Sequence, residues 1–325
     1  MLEIRRIAPL SSVQDAGRCE WRALGVPQSG PLDEWSHAVA NVLVGNDPQA
    51  AAIEIGFGRS LLRFTLPAVI AITGARTPVH AGGMALPTWR PIALSAGATL
   101  ALDPAQLGAR NYLAVAGGWT PEAVLGSRSA LQSEGFPPLL RAGDELPFVP
   151  SEGQSARWLR GLRAGALALP APWWADGEPL LDLDAHAGLR VIEGAHFHLL
   201  RDRRALYLQS FTLSPNANRM AAPLQGAPLA IDDAGALVSE PVVPGTVQLP
   251  PDGLPLILQA EAQTIGGYAR IAHVASIDLA RLAQRRPGSS IRFEPISLDT
   301  ARRLWAWRRE RLMRLRIAAL DRLGR

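Results

Sequence analysis

Two glycine-rich turns near the N-terminus carry polar side chains that could do chemistry. Gln14, Asp15 and Arg18 surround Gly17 in the first turn, and Asp33 follows the second turn. A carboxylate can accept or deliver a proton, and an arginine can bind a carboxylate through two parallel hydrogen bonds. The same residue types also suit turns that bind nothing, with Asp33 capping the helix that follows it. The residues alone leave both interpretations open.

A second group of amide, hydroxyl and cationic side chains lies in the C-terminal half, again on turns. Its members are Asn218, Arg219, Gln248, Gln263, Thr264 and Tyr268. These groups donate hydrogen bonds, but they include no strong nucleophile. They favour a site that holds a carboxylate and polarises an amide or ureido oxygen, where charge develops in the transition state.

Other reactive constellations are incomplete. Ser127 has no evident base and no Gly-x-Ser-x-Gly turn, so the pattern does not support Ser-His-Asp catalysis. His196 and His198 would share one face of a strand, as metal ligands require, but no neighbouring acid or cysteine completes the set. We therefore expect no metal site.

Glu54 stands within an apolar segment, where an ionised carboxylate is costly unless it is paired. Arg18 and Arg59 are the partners that the sequence suggests for it. We expect Glu54 either to be half-buried and paired or to take part in function.

The cationic side chains are informative because every one is arginine. The chain has 33 Lys and Arg residues, and none of them is lysine. This excludes a Schiff-base lysine, a P-loop lysine and a lysine that carries biotin, because arginine cannot replace an amine in those roles. The formal net charge is +4, but residues 296–325 hold nine arginines and three acids. The rest of the chain is nearly balanced and offers no basic face, so we expect no nucleic-acid partner.

Cysteine usage and hydropathy indicate the compartment. Cys19 is the single cysteine, which excludes an internal disulfide and a zinc site built on paired cysteines. The apolar runs, such as 66–72, are too short to span a membrane, and residues 1–17 lack the apolar run of a signal peptide. We expect a soluble, cytoplasmic chain without a membrane partner.

Short strands bounded by glycine, proline or aspartate dominate the pattern. The expected strands are 60–64, 68–72, 98–102, 111–115, 189–192, 246–249, 256–258, 271–274 and 290–293. The clearest helices are 32–44, 278–284 and 298–323. The 30 glycines and 27 prolines suit many tight turns. A mainly β fold of barrel or sandwich domains follows.

Composition divides the chain into four segments. Residues 1–150 form an expected N-terminal β subdomain, 151–180 a linker, 181–296 a C-terminal β subdomain and 297–325 a basic amphipathic helix. The linker is rich in turn-forming and polar residues, which interrupt the succession of strands. We expect the terminal helix to pack on the body or on a sister subunit, and we disfavour a helix that lies on a membrane surface.

Taken together and in this order, the polar segments resemble the allophanate hydrolase subunit 2 family. This group includes KipA-type proteins, the subunit-C protein of 5-oxoprolinase and half of the carboxyltransferase domain of biotin-dependent urea carboxylase. The matching segments are 12–15, 17–18, 25–27, 29–30, 33, 40–41, 44–46, 73–75, 112–115, 117–118, 126–129, 218–220, 245–246, 248, 263–264, 266–268 and 287–288. The resemblance covers about residues 3–295.

The resemblance implies a fold of two cyclophilin-like β-barrel subdomains and a chain that works with other subunits. It implies a subunit-B-like (KipI-type) partner and, in 5-oxoprolinase, a subunit-A-like partner. That complex hydrolyses 5-oxoproline to glutamate at the expense of ATP. The small-molecule substrate would then be a lactam or a ureido compound. ATP would act through the complex and not through a P-loop in this chain.

The family's polar motifs also imply a set of site residues. Asp15 and Asp33 are the candidate catalytic bases, and Arg219 is the candidate clamp for a substrate carboxylate. The other implied substrate contacts are Gln14, Arg18, Asn218, Gln248, Gln263, Thr264 and Tyr268. No metal ligand is implied.

The sequence departs from the family pattern at several positions. Ala217 stands where serine is usual, and Glu261 stands where aspartate is usual. Two alternatives therefore stay open beside 5-oxoproline hydrolysis. One is a carboxyltransferase component that moves a carboxyl group from carboxybiotin, carried by another chain, to urea or a urea-like acceptor. The other is a KipA-type regulatory binding protein without turnover.

Overall fold

Strands dominate the computed structural model, which describes residues 1–132, 134–135, 137–150, 158–162, 165–177, 181–183, 187–232 and 237–324. The strands, in chain order, are β1 Leu2–Arg6, β2 Ser12–Gln14, β3 Ala52–Ile55, β4 Ser60–Phe64, β5 Ala68–Arg76, β6 Val79–Ala81, β7 Met84–Leu86, β8 Pro91–Leu94, β9 Thr99–Leu102, β10 Leu107–Val115, β11 Glu145–Leu146, β12 Ala168–Pro170, β13 Leu189–Glu193, β14 Phe211–Leu213, β15 Ala221–Gln225, β16 Glu240–Pro241, β17 Thr246–Leu249, β18 Leu256–Leu258, β19 Ile265–Gly266, β20 Ala269–Val274, β21 Ser290–Ile291 and β22 Phe293–Pro295. The helices include α1 Glu34–Leu43, α2 Ala205–Leu208, α3 Ser276–Ala283 and α4 Leu298–Leu323, with 3-10 turns at Cys19–Leu24 and Phe197–Leu199. The expected mainly β class, with few helices and a C-terminal helix, is confirmed.

The first half is built from two antiparallel sheets that pack face to face. Each has six strands, in the orders β11-β1-β4-β9-β6-β7 and β12-β8-β5-β10-β3-β2. The core between them is apolar and includes Leu2 and Phe64 from the first sheet and Ile70 and Leu113 from the second. Strand β4 alternates between buried and more exposed side chains, because one face of its sheet meets this core and the other meets solvent.

Helix α1 covers the outer face of the second sheet. Asp33 caps its first turn by accepting a hydrogen bond from Ser36 N at 2.9 Å, which is one of the two interpretations that the sequence left open. Val39 and Leu43 recur at helical spacing and pack in one cluster with Val69 of β5. Both faces of β5 are therefore covered, and its first eight residues are all buried. This explains why the sequence shows an apolar run there without alternation.

The second half closes on itself as a barrel. Its sheet has eight strands in the order β21-β14-β15-β18-β17-β20-β13-β22. The two strands at the ends of that order are separated along the chain by Arg292 alone. Ile291 pairs with Phe211 of β14, and Phe293 pairs with Leu189 of β13. An interruption of one residue therefore divides the single strand that the sequence predicted here, and its two parts pair with opposite ends of the sheet.

Helix α4 has the bounds that the sequence predicted, Leu298–Leu323. The side chain of Ser297 caps its start, and Gly324 ends it in the left-handed conformation with φ 68°. Leu312 and Leu315 pack against the cluster around α1, so the helix lies on the body of its own chain. Within the described ranges, no helix is long and apolar enough to cross a membrane.

Part of the predicted linker contributes to the first half. Ala168–Pro170 forms β12, an edge strand that pairs antiparallel with β8. Its proline is tolerated because an edge strand has one side without ladder hydrogen bonds. Linker residues 151–157, 163–164 and 178–180 lie outside the described residues. The division into subdomains stays a prediction.

The His-x-His pair does not lie on a strand. Phe197–Leu199 forms a 3-10 turn, so His196 and His198 do not have the shared strand face that metal ligands would need. Instead, His196 Nδ1 accepts a hydrogen bond from Arg270 N at 3.0 Å. In the part of the chain that the structure describes, no group of three or more His, Cys, Asp or Glu side chains could hold a metal ion.

Candidate functional site

Loops of the two halves meet along a polar contact region, which we call the seam. Ser29 N donates a hydrogen bond to Ala260 O at 3.0 Å. Gln132 N donates to Glu261 Oε2 at 2.9 Å. The loop after β18 is thereby fixed against the N-terminal turns that the sequence singled out.

A buried ion cluster lies in the seam. Arg219 Nη1 donates to Glu54 Oε1 at 2.5 Å, and Arg219 Nε donates to Glu261 Oε1 at 2.5 Å. Arg219 Nη2 donates to the carbonyl of Gly30. Arg110 Nε lies 3.8 Å from Glu54 Oε1 at the edge of the cluster. Every guanidinium nitrogen of Arg219 thus has a partner within the chain, and its role as a clamp for a substrate carboxylate stays a prediction.

The cluster keeps its charges. Burial raises the pKa of Glu54, but the guanidinium groups of Arg219 and Arg110 outweigh burial and leave the pKa below its ordinary value. Burial lowers the pKa of Arg219, but Glu54 and Glu261 outweigh it and the pKa is raised. Removing one member would leave an uncompensated charge in the interior, so each group depends on the others.

The partners that the sequence suggested for Glu54 were wrong. Arg59 pairs at the surface with Asp103, with Nε 3.2 Å from Oδ1. Arg18 is buried, and its Nη2 donates to the carbonyl of Ser129 at 2.5 Å. The actual partner, Arg219, follows in the other half of the chain, where no local pattern could identify it.

Tyr112 of β10 connects Glu54 to the start of α1. Its hydroxyl donates to Glu54 Oε2 at 2.7 Å and accepts from Asp33 N at 2.8 Å. Leu32 N also donates to Glu54 Oε2, at 2.9 Å. Burial, reinforced by the charge of Glu54, raises the pKa of Tyr112 well above its ordinary value. The hydroxyl therefore stays protonated and continues to donate.

Asp33, one of the two candidate bases, lies in the interior. It accepts from Ser36 Oγ at 2.6 Å and from Gln284 Nε2 at 2.8 Å, in addition to its capping bond. Burial raises the pKa of Asp33 despite these hydrogen bonds. These contacts fix the end of α3 to the start of α1, and the role of Asp33 as a base stays a prediction.

Asp15, the other candidate base, is held by four donors. Its Oδ1 accepts from Ser127 Oγ at 2.5 Å, and also from Ser129 Oγ at 2.7 Å. Gly17 N donates to the same oxygen at 2.9 Å, and Arg128 N donates to Oδ2 at 2.6 Å. Burial raises the pKa of Asp15, but these hydrogen bonds outweigh it and the pKa is lowered. Such a carboxylate is a weak base, and its catalytic role stays a prediction.

Gln14 is fully buried and links the two N-terminal turns. Its Oε1 accepts from Gly30 N at 3.1 Å, and its Nε2 donates to Ser12 Oγ at 2.9 Å. Its backbone carbonyl lies 3.0 Å from His37 Nε2, which must carry the proton because a carbonyl can only accept. Gln14 therefore positions α1 against the turns.

Most of the predicted contacts of the second half surround the glycine turn after β18. Gln263 Nε2 donates to Gln248 Oε1 at 3.5 Å. Gln248 Nε2 is buried and lacks a hydrogen-bond partner among the described residues. A Cβ on Gly266 would stand 2.6 Å from that nitrogen, so the amide lies directly against the turn. Thr264 is half-buried in the same turn, and Tyr268 is exposed.

Asn218 shapes the turn that leads into Arg219. Its Oδ1 accepts from Met220 N at 2.8 Å and from Ala221 N at 3.1 Å. Its backbone carbonyl accepts from Gln259 Nε2 at 2.5 Å. The side-chain oxygen of Asn218 is thus used by its own turn, as asparagine commonly does.

A cavity of about 610 Å³ lies at the seam, between the two halves and under α4. Its polar lining includes Gln28 and His37 from the first half, Gln259 and His273 from the second half, and Arg309 from α4. The volume lies within the range of roughly 300–1,000 Å³ that is typical of small-molecule sites. The cavity is therefore the candidate active site.

The two histidines of the cavity differ in their contacts. His37 bonds the backbone of Gln14 and of Ala50, and burial lowers its pKa. The imidazole of His273 in β20 has no hydrogen-bond partner among the described residues, and burial lowers its pKa as well. A neutral imidazole without a partner can donate from one nitrogen and accept at the other.

Comparison with known proteins assigns the chain to a family. Residues 24–295 match the carboxyltransferase domain family, subdomains A and B. The chain belongs to this family. It is 34% identical over 307 residues to the 5-oxoprolinase subunit-C protein of Escherichia coli strain K12, with 93% of each chain covered. It is 30% identical over 312 residues to the 5-oxoprolinase subunit-C protein of Haemophilus influenzae, with 94% of each chain covered.

Solved carboxyltransferase structures share the fold. The crystal structure of the Kluyveromyces lactis urea carboxylase has a TM-score of 0.82 at 26% identity, over 97% of this chain and 29% of that chain. The K. lactis urea amidolyase has a TM-score of 0.83 at 26% identity, over 97% of this chain and 20% of that chain. These findings confirm the resemblance that the polar motifs indicated.

In this member of the carboxyltransferase domain family, none of the predicted site residues lines the cavity. Asp15 and Asp33 are the chain neighbours of Ala16 and Glu34, which do line it.

Gln259, His273 and Arg309 are among the lining residues that sequence reasoning missed. Gln259 follows β18 without a recognisable motif, and His273 stands alone in an otherwise ordinary strand. Arg309 is one of many arginines on α4. The tertiary packing alone distinguishes these residues from their neighbours.

Proposed function

We propose that this chain is the carboxyltransferase-type subunit of an ATP-dependent 5-oxoprolinase, which opens the lactam of 5-oxoproline to give glutamate. The observation that carries the proposal is the 34% identity to the E. coli 5-oxoprolinase subunit-C protein over 93% of both chains. Because the match extends over nearly all of each chain, it concerns the whole subunit and not one shared domain.

The chemistry of the cavity supports a substrate that contains an amide. A lactam offers one carbonyl acceptor and one N–H donor, so its site needs a donor and an acceptor in return. The neutral imidazole of His273 and the carboxamides of Gln28 and Gln259 supply groups of both kinds. Donors aimed at the lactam oxygen would also stabilise the charge that develops there when water attacks.

The proposal includes two partner subunits, one subunit-A-like and one subunit-B-like of the KipI type. It assigns ATP to the complex, because this chain has no lysine and therefore no P-loop lysine.

The test mixes three purified chains from one organism: this chain and its subunit-A-like and subunit-B-like partners. Glutamate release from 5-oxoproline is measured with ATP, with a non-hydrolysable ATP analogue and after omission of each chain in turn. We expect release only from the complete mixture with ATP. An unchanged rate without this chain would contradict the proposal.

Carboxyl transfer is the second candidate, and the TM-score of 0.82 to the K. lactis urea carboxylase favours it. The carboxyl group of carboxybiotin would pass to urea or a urea-like acceptor. The biotin would be carried by another chain, because this one lacks the lysine that biotin attachment requires. The test follows labelled carboxybiotin on its carrier protein. Loss of label that needs both urea and this chain would support this candidate over lactam hydrolysis.

A further inference from the structure

The imidazole of His273 and the guanidinium of Arg309 are polar groups of the cavity lining that have no partner among the described residues. The other arginine of the lining is engaged. Arg308 Nη1 donates to Ile277 O at 3.3 Å, and Arg308 Nη2 lies 3.6 Å from Glu34 Oε2. The guanidinium of Arg308 also stacks on a tryptophan ring of its own helix. Arg309 is therefore the cation of the lining that is available to a ligand.

The charges of the lining favour an anion on the α4 side. Glu34 is the acid of the lining, and it already faces Arg308. A guanidinium presents a fork of N–H donors that matches the two oxygens of a carboxylate. The guanidinium of Arg309 is therefore free to bind the carboxylate of a small acid that enters the cavity.

We propose that the cavity binds a small carboxylic acid that also contains an amide, with the carboxylate on Arg309 and the amide on His273. This inference rests on the proposed function and deepens it, since 5-oxoproline has one carboxylate and one lactam amide. The cavity of about 610 Å³ is larger than such a molecule. The two polar contacts, more than the fit of the walls, therefore select the ligand.

The inference gives α4 a part in binding. Arg309 lies beyond residues 24–295, the part of the chain that matches the family. The helix is held in place by Leu312 and Leu315, which follow Arg309 on α4 and pack against the α1 cluster. The barrel and sheets thus supply the amide contact, and the C-terminal helix supplies the carboxylate contact.

The experiment measures binding to the full-length chain by isothermal titration calorimetry without ATP. The probes are 5-oxoproline and 2-pyrrolidinone, which is the same lactam without the carboxylate. We expect wild type to bind 5-oxoproline more tightly than 2-pyrrolidinone. Arg309→Gln should weaken 5-oxoproline binding about 10- to 100-fold, the effect of losing a charge-assisted hydrogen bond, and leave 2-pyrrolidinone binding unchanged. His273→Gln should weaken the binding of both probes.

Two matched controls, Arg302→Gln and His198→Gln, carry the same changes away from the cavity. Arg302 lies at an exposed position of α4, about two turns before Arg309 and outside the cavity lining, and His198 lies at an exposed position of the second half. Both variants should bind like wild type. All four variants should fold, because the altered side chains have no hydrogen bond or ion pair in the described structure, and circular dichroism checks this.

Three results would overturn the inference: no binding of 5-oxoproline by wild type, equal affinities for the two probes, or unchanged binding by Arg309→Gln. Because turnover is not measured, the inference is judged separately from the proposed function. If the chain binds 5-oxoproline but the mixture with its partners releases no glutamate, the inferred binding site stands and the proposed activity fails.

Discussion

Arg219 Nη1 lies 2.5 Å from Glu54 Oε1, although the two residues are 165 positions apart and belong to different halves of the chain. The pair is buried, and Arg219 also holds Glu261 from its own half. A buried charge without its partner is far more costly than a surface charge. Arg219 therefore links the halves through a buried ion pair, in addition to the hydrogen bonds from Ser29, Gln132 and Gln284.

The first prediction concerns Arg219→Met. It should lower the free energy of unfolding by about 3–5 kcal/mol, because Glu54 and Glu261 would lose their shared cation. Urea unfolding followed by circular dichroism measures the loss. The matched control is Arg314→Met, which removes an exposed i,i+4 pair with Glu310 and should cost no more than about 0.5 kcal/mol. A stable Arg219→Met variant with only a raised KM would instead identify Arg219 as a substrate clamp.

The second prediction concerns Tyr112→Phe. The change removes the hydroxyl that joins Glu54 to Asp33 N. It should lower the free energy of unfolding by about 1–3 kcal/mol, because both groups are buried. Tyr207→Phe is the control, since the Tyr207 hydroxyl is buried without a hydrogen-bond partner among the described residues. Loss of the Tyr207 hydroxyl should leave the free energy of unfolding unchanged or raise it. Equal effects of the two changes on the urea midpoint would contradict the prediction.

The third prediction is a pH dependence that arises from Asp15. Its folded-state pKa is lowered, so its contribution to stability is present above the unfolded-state pKa and is lost as pH falls through the folded-state pKa. Asp15→Asn should therefore lower the free energy of unfolding by about 1–3 kcal/mol at neutral pH. This difference in stability from wild type should shrink below about pH 4.

Urea unfolding at both pH values tests the effect of Asp15→Asn. Asp232→Asn provides the control, because Asp232 forms an exposed ion pair with Arg201. It should change the free energy of unfolding little at either pH. A constant difference between Asp15→Asn and wild type across the pH range would show that ionisation of Asp15 is not the cause.

The fourth prediction compares two glycines. Gly74 has φ 98°, and a Cβ there would overlap the carbonyl oxygen of Arg110 on the neighbouring strand. Gly97 has φ 81°, and a Cβ there would meet nothing within 4 Å. Both alanine variants carry the strain of a left-handed residue, about 1 kcal/mol. Gly74→Ala should lower the free energy of unfolding clearly more than Gly97→Ala does. Thermal unfolding in which Gly97→Ala lowers the midpoint as much as Gly74→Ala, or more, would contradict this.

The helices show what sequence can predict and why. The bounds of α4 were predicted correctly, and α1 and α3 were each predicted to within about two residues. Caps and helical spacing are local signals that do not depend on distant residues. The strand at 290–293 was predicted as one element, because its division depends on two pairing partners that the local pattern does not contain.

The site was less predictable because its contacts join distant residues. Gln14, Asp15 and Asp33 were predicted from their polar turns; none lines the cavity, although each is within two residues of Ala16 or Glu34, which do. Yet Glu54 was given the wrong partners, since Arg219 is brought to it only by the folding of the other half. His273 and Arg309 were missed, because an ordinary strand and an arginine-rich helix carry no sign of what faces them.

The closure of the second-half barrel has a consequence for aggregation. A strand at the edge of an open sheet presents unpaired N–H and C=O groups, to which another chain can add a strand. Ser290–Ile291 and Phe293–Pro295 cover both such edges of the eight-stranded sheet within one short segment. Removal of this segment would uncover two unpaired strand edges at once, on β14 and on β13. This short segment thus protects the second half of the molecule from pairing with its own copies.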